Sequence, residues 1–173
     1  MDFIEKVDAK MLPIQYGWVD KSGNKHTDME QYAKEYMLQT PSQLLKSRLG
    51  VCWDQVELQR KLFKDSGITT RSFFIVHYNE NECPTHTFTI FEYENNVFWY
   101  EHAWAAMRGL HRYGNFKNAI SDIREKFIKN ELNDVYNPQN LVIYEYDAPA
   151  RNLSCSEFYK HCEKGKRIQI DSL

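Results

Sequence analysis

Three side chains in this chain could together open an amide bond: the thiol of Cys52, the imidazole of His86 and the carboxylate of Glu101. Nucleophilic attack by a thiol needs a base to take its proton, a third group to orient that base, and an amide donor for the negative charge that develops on the carbonyl oxygen. Cys52 stands in Gly50-Val51-Cys52-Trp53-Asp54, where a helix is expected to begin. The free amides and dipole of a helix N-terminus favour a thiolate, and the backbone amide of Cys52 can itself face an oxyanion. A free cysteine is also among the most buried residue types, and the inward face of a first helical turn suits packing as well as reaction.

His86 opens the β-rich run "THTFTIFEY" and Glu101 ends "NVFWYE". If these form a hairpin, one register leaves Glu92 to Asn95 as a four-residue loop and sets His86 directly opposite Glu101. A second register uses Asn95-Asn96 as a two-residue turn, pairs Glu101 with Ile90 and keeps the two groups apart. Both place His86, Phe88, Ile90, Val97, Trp99 and Glu101 on one face. Cys83-Pro84-Thr85-His86 has the C-x2-H spacing of half a zinc site, with His77, His102 and His111 nearby, but structural zinc sites normally show two such paired knuckles. No metal and no cofactor is expected. Cys83 reads as a loop cysteine, His102 as a partly exposed histidine on the opposite strand face, and Trp104, Met107 and Leu110 as core.

The elements that must position these groups can be traced from pattern. Residues 28–39 read as a helix, and Thr40-Pro41 starts a short one that Gly50 stops. The longer helix from Cys52 to about Ser66 ends at Gly67, with Val56, Leu58, Leu62 and Phe63 on the same arc as Cys52 and with Glu57, Lys61 and Lys64 opposite. Three antiparallel strands follow over residues 69–78, 85–93 and 96–104. A helix over 115–132, a strand over 141–146 and a last helix opened by the capping pair Ser154 and Glu157 complete the chain. Cys155, Phe158 and Cys162 fall on one stripe of that helix, as core positions do.

The 173 residues suit one domain spanning 1–173, without repeat or linker, and 42% hydrophobic with 14% aromatic content argues for a folded, aromatic-rich core. Lys plus Arg 22 against Asp plus Glu 24 gives a net charge of -2, so neither nucleic acid nor a membrane surface is an expected partner. The charged opening "MDFIEKVDAK" lacks the apolar run of a secretion signal, and four cysteines are too few for a disulfide scaffold. Both features point to a cytoplasmic setting with reduced thiols.

A cysteine after a glycine at a helix start, the helix exit "SGI" with "TTRSFFIV" behind it, a strand opening with His86 and an aromatic strand ending at Glu101 are together similar to the transglutaminase-like superfamily of papain-fold enzymes. The resemblance spans roughly residues 42 to 104. It implies an α+β papain-like fold, helices packed on an antiparallel β-sheet, with the nucleophile at the N-terminus of the central helix. It implies Cys52 as nucleophile, His86 as general base and then acid, and Glu101 as the residue orienting His86. The family's usual Asp at the third position is Glu101 here, and its common H-x-W opening is His86-Thr87-Phe88. Gln43 is a possible side-chain donor to the oxyanion. The reaction implied is acyl transfer through a thioester on a peptide or protein amide, with hydrolysis (protease or amidase) favoured over glutamine crosslinking and over a non-catalytic binding module. Trp53, Trp99, Tyr100 and Trp104 are expected to wall the cleft, and Glu101→Gln is expected to lower turnover with little loss of stability.

Overall fold

The computed structural model describes residues 1–80, 83–132 and 136–172. The elements run α1 (Asp2–Met11), β1 (Trp18–Val19), β2 (Lys25–His26), α2 (Tyr32–Glu35), α3 (Pro41–Ser47), α4 (Cys52–Asp65), β3 (Thr70–His77), β4 (Thr85–Tyr93) and β5 (Asn96–Glu101). They continue as β6 (Gly109–Tyr113), α5 (Phe116–Phe127), β7 (Leu141–Glu145), α6 (Cys155–Glu163) and β8 (Lys166–Arg167). The large sheet has the order β6-β5-β4-β3-β7-β8 with every neighbour antiparallel, while β1 and β2 form a small separate ribbon. The architecture is the expected α+β class of a transglutaminase-like, papain-like fold.

Burial of the sheet on both faces explains why Phe73-Phe74-Ile75-Val76 of β3 is continuously apolar. Phe73 and Ile75 join Phe88, Ile90, Val97 and Trp99 under Ile120, Ile123 and Phe127 of α5. Phe74 and Val76 pack instead against Cys52, Trp53 and Val56 of α4 and Phe158 and Cys162 of α6. A third cluster sets Val7 and Met11 of α1 on Leu58 and Phe63 of α4, with Phe91, Phe98 and Tyr100 beneath. α4 is therefore enclosed, and every residue from Cys52 to Gln59 is buried. Glu57, expected on an outward face, is among them. Arg60 Nε donates to its Oε2 at 3.1 Å and the Tyr146 hydroxyl to its Oε1 at 3.3 Å.

The caps are largely those the sequence announces. Thr40 and Gln43 close a capping box on α3 behind Pro41, and Ser154 and Glu157 close another on α6. Gly67, at φ +77, follows α4 as its stop. α3, however, ends on Arg48 in the left-handed region (φ 55), not on Gly50. Gly50 serves close approach: a Cβ there would lie 2.6 Å from Leu44 Cδ1 and 2.9 Å from Asp54 Cβ. The helix expected over residues 28–39 shrinks to the four residues of α2. Tertiary pairing overrides propensity, because the chain turns extended at Tyr36, whose hydroxyl reaches Asp54 Oδ1 at 3.1 Å, and Leu38 N then donates to Leu153 O at 2.8 Å.

Trp53, Trp99 and Tyr100 belong to the core and not to a cleft wall; Trp53 stacks on Phe158 at 4.3 Å. Cys162 is buried as expected, whereas Cys155 is only half-buried. Among the described residues no helix is long and apolar enough to cross a membrane.

Candidate active site

Cys52 is the first residue of α4, and two polar contacts fix the turn that delivers it. Val51 offers no capping side chain, so Asp54 does the work from inside the helix, its Oδ2 accepting the Val51 amide at 3.0 Å. Asp54 Oδ1 takes the Gln39 amide at 2.8 Å and the Tyr36 hydroxyl, so the carboxyl is fully partnered although it is completely buried. Burial pushes its pKa up to about 7 against the opposing effect of these three donors. Gln55, one residue further on, donates from Nε2 to the Gly50 carbonyl at 2.8 Å.

His86 and Glu101 meet at the end of the sheet where β4 begins and β5 finishes. His86 Nε2 lies 2.8 Å from Glu101 Oε2, and both residues are buried. The other carboxylate oxygen accepts the Trp104 amide at 2.9 Å, and the Trp104 ring lies over the imidazole, 4.5 Å between centroids at 29°. With Nε2 committed to Glu101, Nδ1 is left for the thiol of Cys52. Burial alone would lower the His86 pKa; Glu101 and Cys52 overcome it and push it up to about 10.

The hairpin register that creates this pair is neither of the two expected. Tyr93 pairs with Asn96, Ile90 with Trp99 and Thr89 with Tyr100, around a two-residue turn at Glu94-Asn95 in which both residues have positive φ (47 and 62). Continued by one step, this sets Glu101 across from Phe88, so His86 and Glu101 are diagonal neighbours on one face. A diagonal needs a longer reach than a direct pair, and Glu101 has the extra methylene to make it.

The Gln43 and Cys83 side chains are engaged locally. Gln43 turns its Oε1 into its own capping box, where it accepts the Thr40 amide at 2.8 Å. The Cys83 thiol turns to the Asn79 carbonyl at 3.6 Å, and among the described residues no three His, Cys, Asp or Glu side chains converge as a metal site would require. Trp104, Met107 and Leu110 are partly buried, not core.

Several participants escaped sequence reasoning. His102 is buried, not partly exposed, and its Nδ1 donates to Gln55 Oε1 at 2.8 Å. The direction follows from Gln55, whose amide nitrogen is already given to Gly50. His102 Nε2 is then an unprotonated buried nitrogen without a partner among the described residues, and burial, reinforced by Arg108, lowers its pKa. At the rim, Trp104 Nε1 donates to exposed Glu131 at 2.8 Å. Tyr16 stands on the same rim, its hydroxyl within electrostatic reach of Cys52, Glu131, Asp54 and Glu101. Neither Tyr16 nor Glu131 has a motif around it that would have flagged it.

Among curated proteins none matches the chain. A protein family described as transglutaminase-like domain matches residues 12–113, which is more than half of the chain and includes Cys52, His86 and Glu101. On that match, over a fold that independently has the α+β form, the chain belongs to the transglutaminase-like domain family.

Proposed function

We propose that the protein is a cysteine-nucleophile enzyme that opens amide bonds of peptides or proteins by acyl transfer, with Cys52 as nucleophile, His86 as proton carrier and Glu101 as the group orienting His86. The observation that carries this reading is the buried His86, bound through Nε2 to Glu101 with its remaining nitrogen on the Cys52 side. Attack forms the Cys52 Sγ–carbon bond. Collapse of the tetrahedral intermediate breaks the carbon–nitrogen bond as His86 hands its proton to the departing amine. Water activated by His86 then hydrolyses the thioester, returning free thiol and carboxylic acid. One domain, residues 1–173, carries the whole reaction without cofactor or metal, in a cytoplasmic setting that suits four free cysteines.

A second reading, in which an amine replaces water and a crosslink results, draws on one observation. Glu131 is exposed beside the site and its partner, the Trp104 indole, carries no charge, so the rim keeps a negative charge that attracts a cationic amine.

The test is iodoacetamide labelling near neutral pH, followed cysteine by cysteine by mass spectrometry. Cys52 is only 5% exposed, whereas Cys83 and Cys155 are half-buried, so accessibility alone predicts that Cys52 reacts more slowly than either. The proposal expects the reverse order, and expects His86→Ala to abolish the advantage. A Cys52 that labels no faster than Cys83 and Cys155 in the wild type sinks it.

A further inference from the structure

Attack by the Cys52 thiolate puts a full negative charge on the former carbonyl oxygen of the tetrahedral intermediate, and the first-turn amide of Cys52, which no intrahelical carbonyl can engage, supplies only one donor. Of the nearby amide side chains, Gln39 Nε2 is given to the Leu49 carbonyl and Gln55 Nε2 to the Gly50 carbonyl, while Gln43 is turned by its Oε1 to the Thr40 amide at the exposed start of α3. Tyr16 is placed differently. Gln15 forms a parallel bridge with Leu49, its amide donating to the Arg48 carbonyl at 2.9 Å and its carbonyl accepting the Gly50 amide at 3.0 Å. On the other side Gly17 runs so close that a Cβ would meet the His26 carbonyl at 2.6 Å and Leu49 Cδ1 at 2.7 Å. Tyr16, held between these two anchors, lies alongside Gly50-Val51-Cys52.

The residue is 52% exposed, its hydroxyl is within electrostatic reach of Cys52 and Glu101, and among the described residues that hydroxyl has no hydrogen-bond partner. An exposed ring with an uncommitted hydroxyl, on a segment paired to the loop that leads into Cys52, is open to a substrate. The geometry points to Tyr16 as the second donor to the oxyanion, working beside the Cys52 amide; this inference rests on Cys52 being the nucleophile. When the Sγ–carbon bond forms, the carbonyl π pair moves onto oxygen, which then accepts from the Tyr16 O–H and the Cys52 N–H. When the intermediate collapses, that pair re-forms the double bond, the leaving group departs and the tyrosine keeps its proton throughout. The ring is exposed but its hydroxyl end is partly desolvated, and that desolvation first, then the neighbouring Cys52 and acidic groups, raises the phenol pKa, so a neutral donor persists across the working range.

The experiment compares wild type with Tyr16→Phe in two reactions of the same sulfur. Acetylation by p-nitrophenyl acetate, read as the nitrophenolate burst and as a mass increment on Cys52, passes through an oxyanion. Its leaving group departs as an anion and asks no proton of His86. Alkylation by iodoacetamide is a displacement at carbon with no oxyanion. Removal of one such donor lowers acyl transfer by roughly 10²- to 10³-fold. The expected result is therefore acetylation slowed about a hundredfold with alkylation unchanged within about twofold. Equal acetylation rates overturn the role of Tyr16. A parallel fall in both reactions also overturns it, since the residue would then be shaping the site, and faster alkylation in the variant would show the hydroxyl holding the thiol instead. A wild type never acetylated at Cys52 removes the nucleophile itself, a failure distinguishable from the others.

Discussion

At the scale of single residues, the identity of the third group is set by distance. Asp is the usual occupant in the family, and the diagonal placement of His86 and Glu101 across β4 and β5 explains why this chain carries the longer acid. Glu101→Asp should therefore impair the site although it restores the usual residue. With the carboxylate drawn back, His86 loses most of the support that keeps its pKa near 10. An imidazolium raised above its ordinary value near 6.5 is available as acid up to that pKa and is lost above it. The alkaline limb of acyl transfer should then move to lower pH in Glu101→Asp, with turnover near neutrality reduced at least tenfold. A pH–rate profile superimposable on wild type would show that Glu101 does not sustain His86. Glu101→Gln is a poorer probe than its sequence suggested, because both carboxylate oxygens accept bonds, from His86 and from the Trp104 amide. An amide offers one acceptor to two donors, so a stability loss of about 1–3 kcal/mol is expected together with the loss of turnover.

At the scale of elements, the face each residue takes was more legible than register. The period-two patterns located β3, β4 and β5, and the shared face of His86, Phe88, Ile90, Val97 and Trp99 exists as the alternation requires. Registers that slide by two residues keep every side chain on its face, so hydrophobic patterning could not choose among them. Turn chemistry misled as well: Asn95-Asn96 looks the better turn, yet Glu94 takes a positive φ usually left to Gly, Asn or Asp. α1, the β1–β2 ribbon and β6 were not recognised. The two strands of the ribbon are only two residues long, too short for periodicity to register. The link between elements was equally hidden. Glu101 orients His86 while its neighbour His102, through Gln55 and the Gly50 carbonyl, grips the loop that presents Cys52. The end of β5 thus contacts both His86 and, through Gln55, the loop before Cys52. His102→Leu leaves Gln55 Oε1 unpaired in the interior, which should cost about 1–3 kcal/mol in urea unfolding, and should slow Cys52 alkylation severalfold. His102→Asn restores a donor near the Nδ1 position and should recover the alkylation rate. If Asn is as slow as Leu, or Leu is as fast as wild type, the grip has no bearing on reactivity.

At the scale of the whole molecule, the site residues lie inside the family-matched stretch while much of what packs them does not. The match ends at Tyr113, yet β7 occupies an interior place in the sheet beside β3, and α5 roofs the face that carries Phe88 and Trp99. Trp53, next to Cys52 in the chain, rests on Phe158 of α6. A chain ended after Tyr113 would expose one whole face of β3 and β4, strip the partner from Trp53 and leave β3 as an open edge. Large apolar faces of this kind are not sustained in water without cover. The shortened chain should show no cooperative thermal transition by circular dichroism, should bind the hydrophobic dye ANS, and should label Cys52 no faster than Cys83. A cooperative melt with Cys52 still the fastest-labelling thiol would mean that the first two thirds form the catalytic unit alone. In that case α5, β7 and α6 could not be what holds Cys52 against His86, and the sheet end built by β4, β5 and the head of α4 would have to do so unaided.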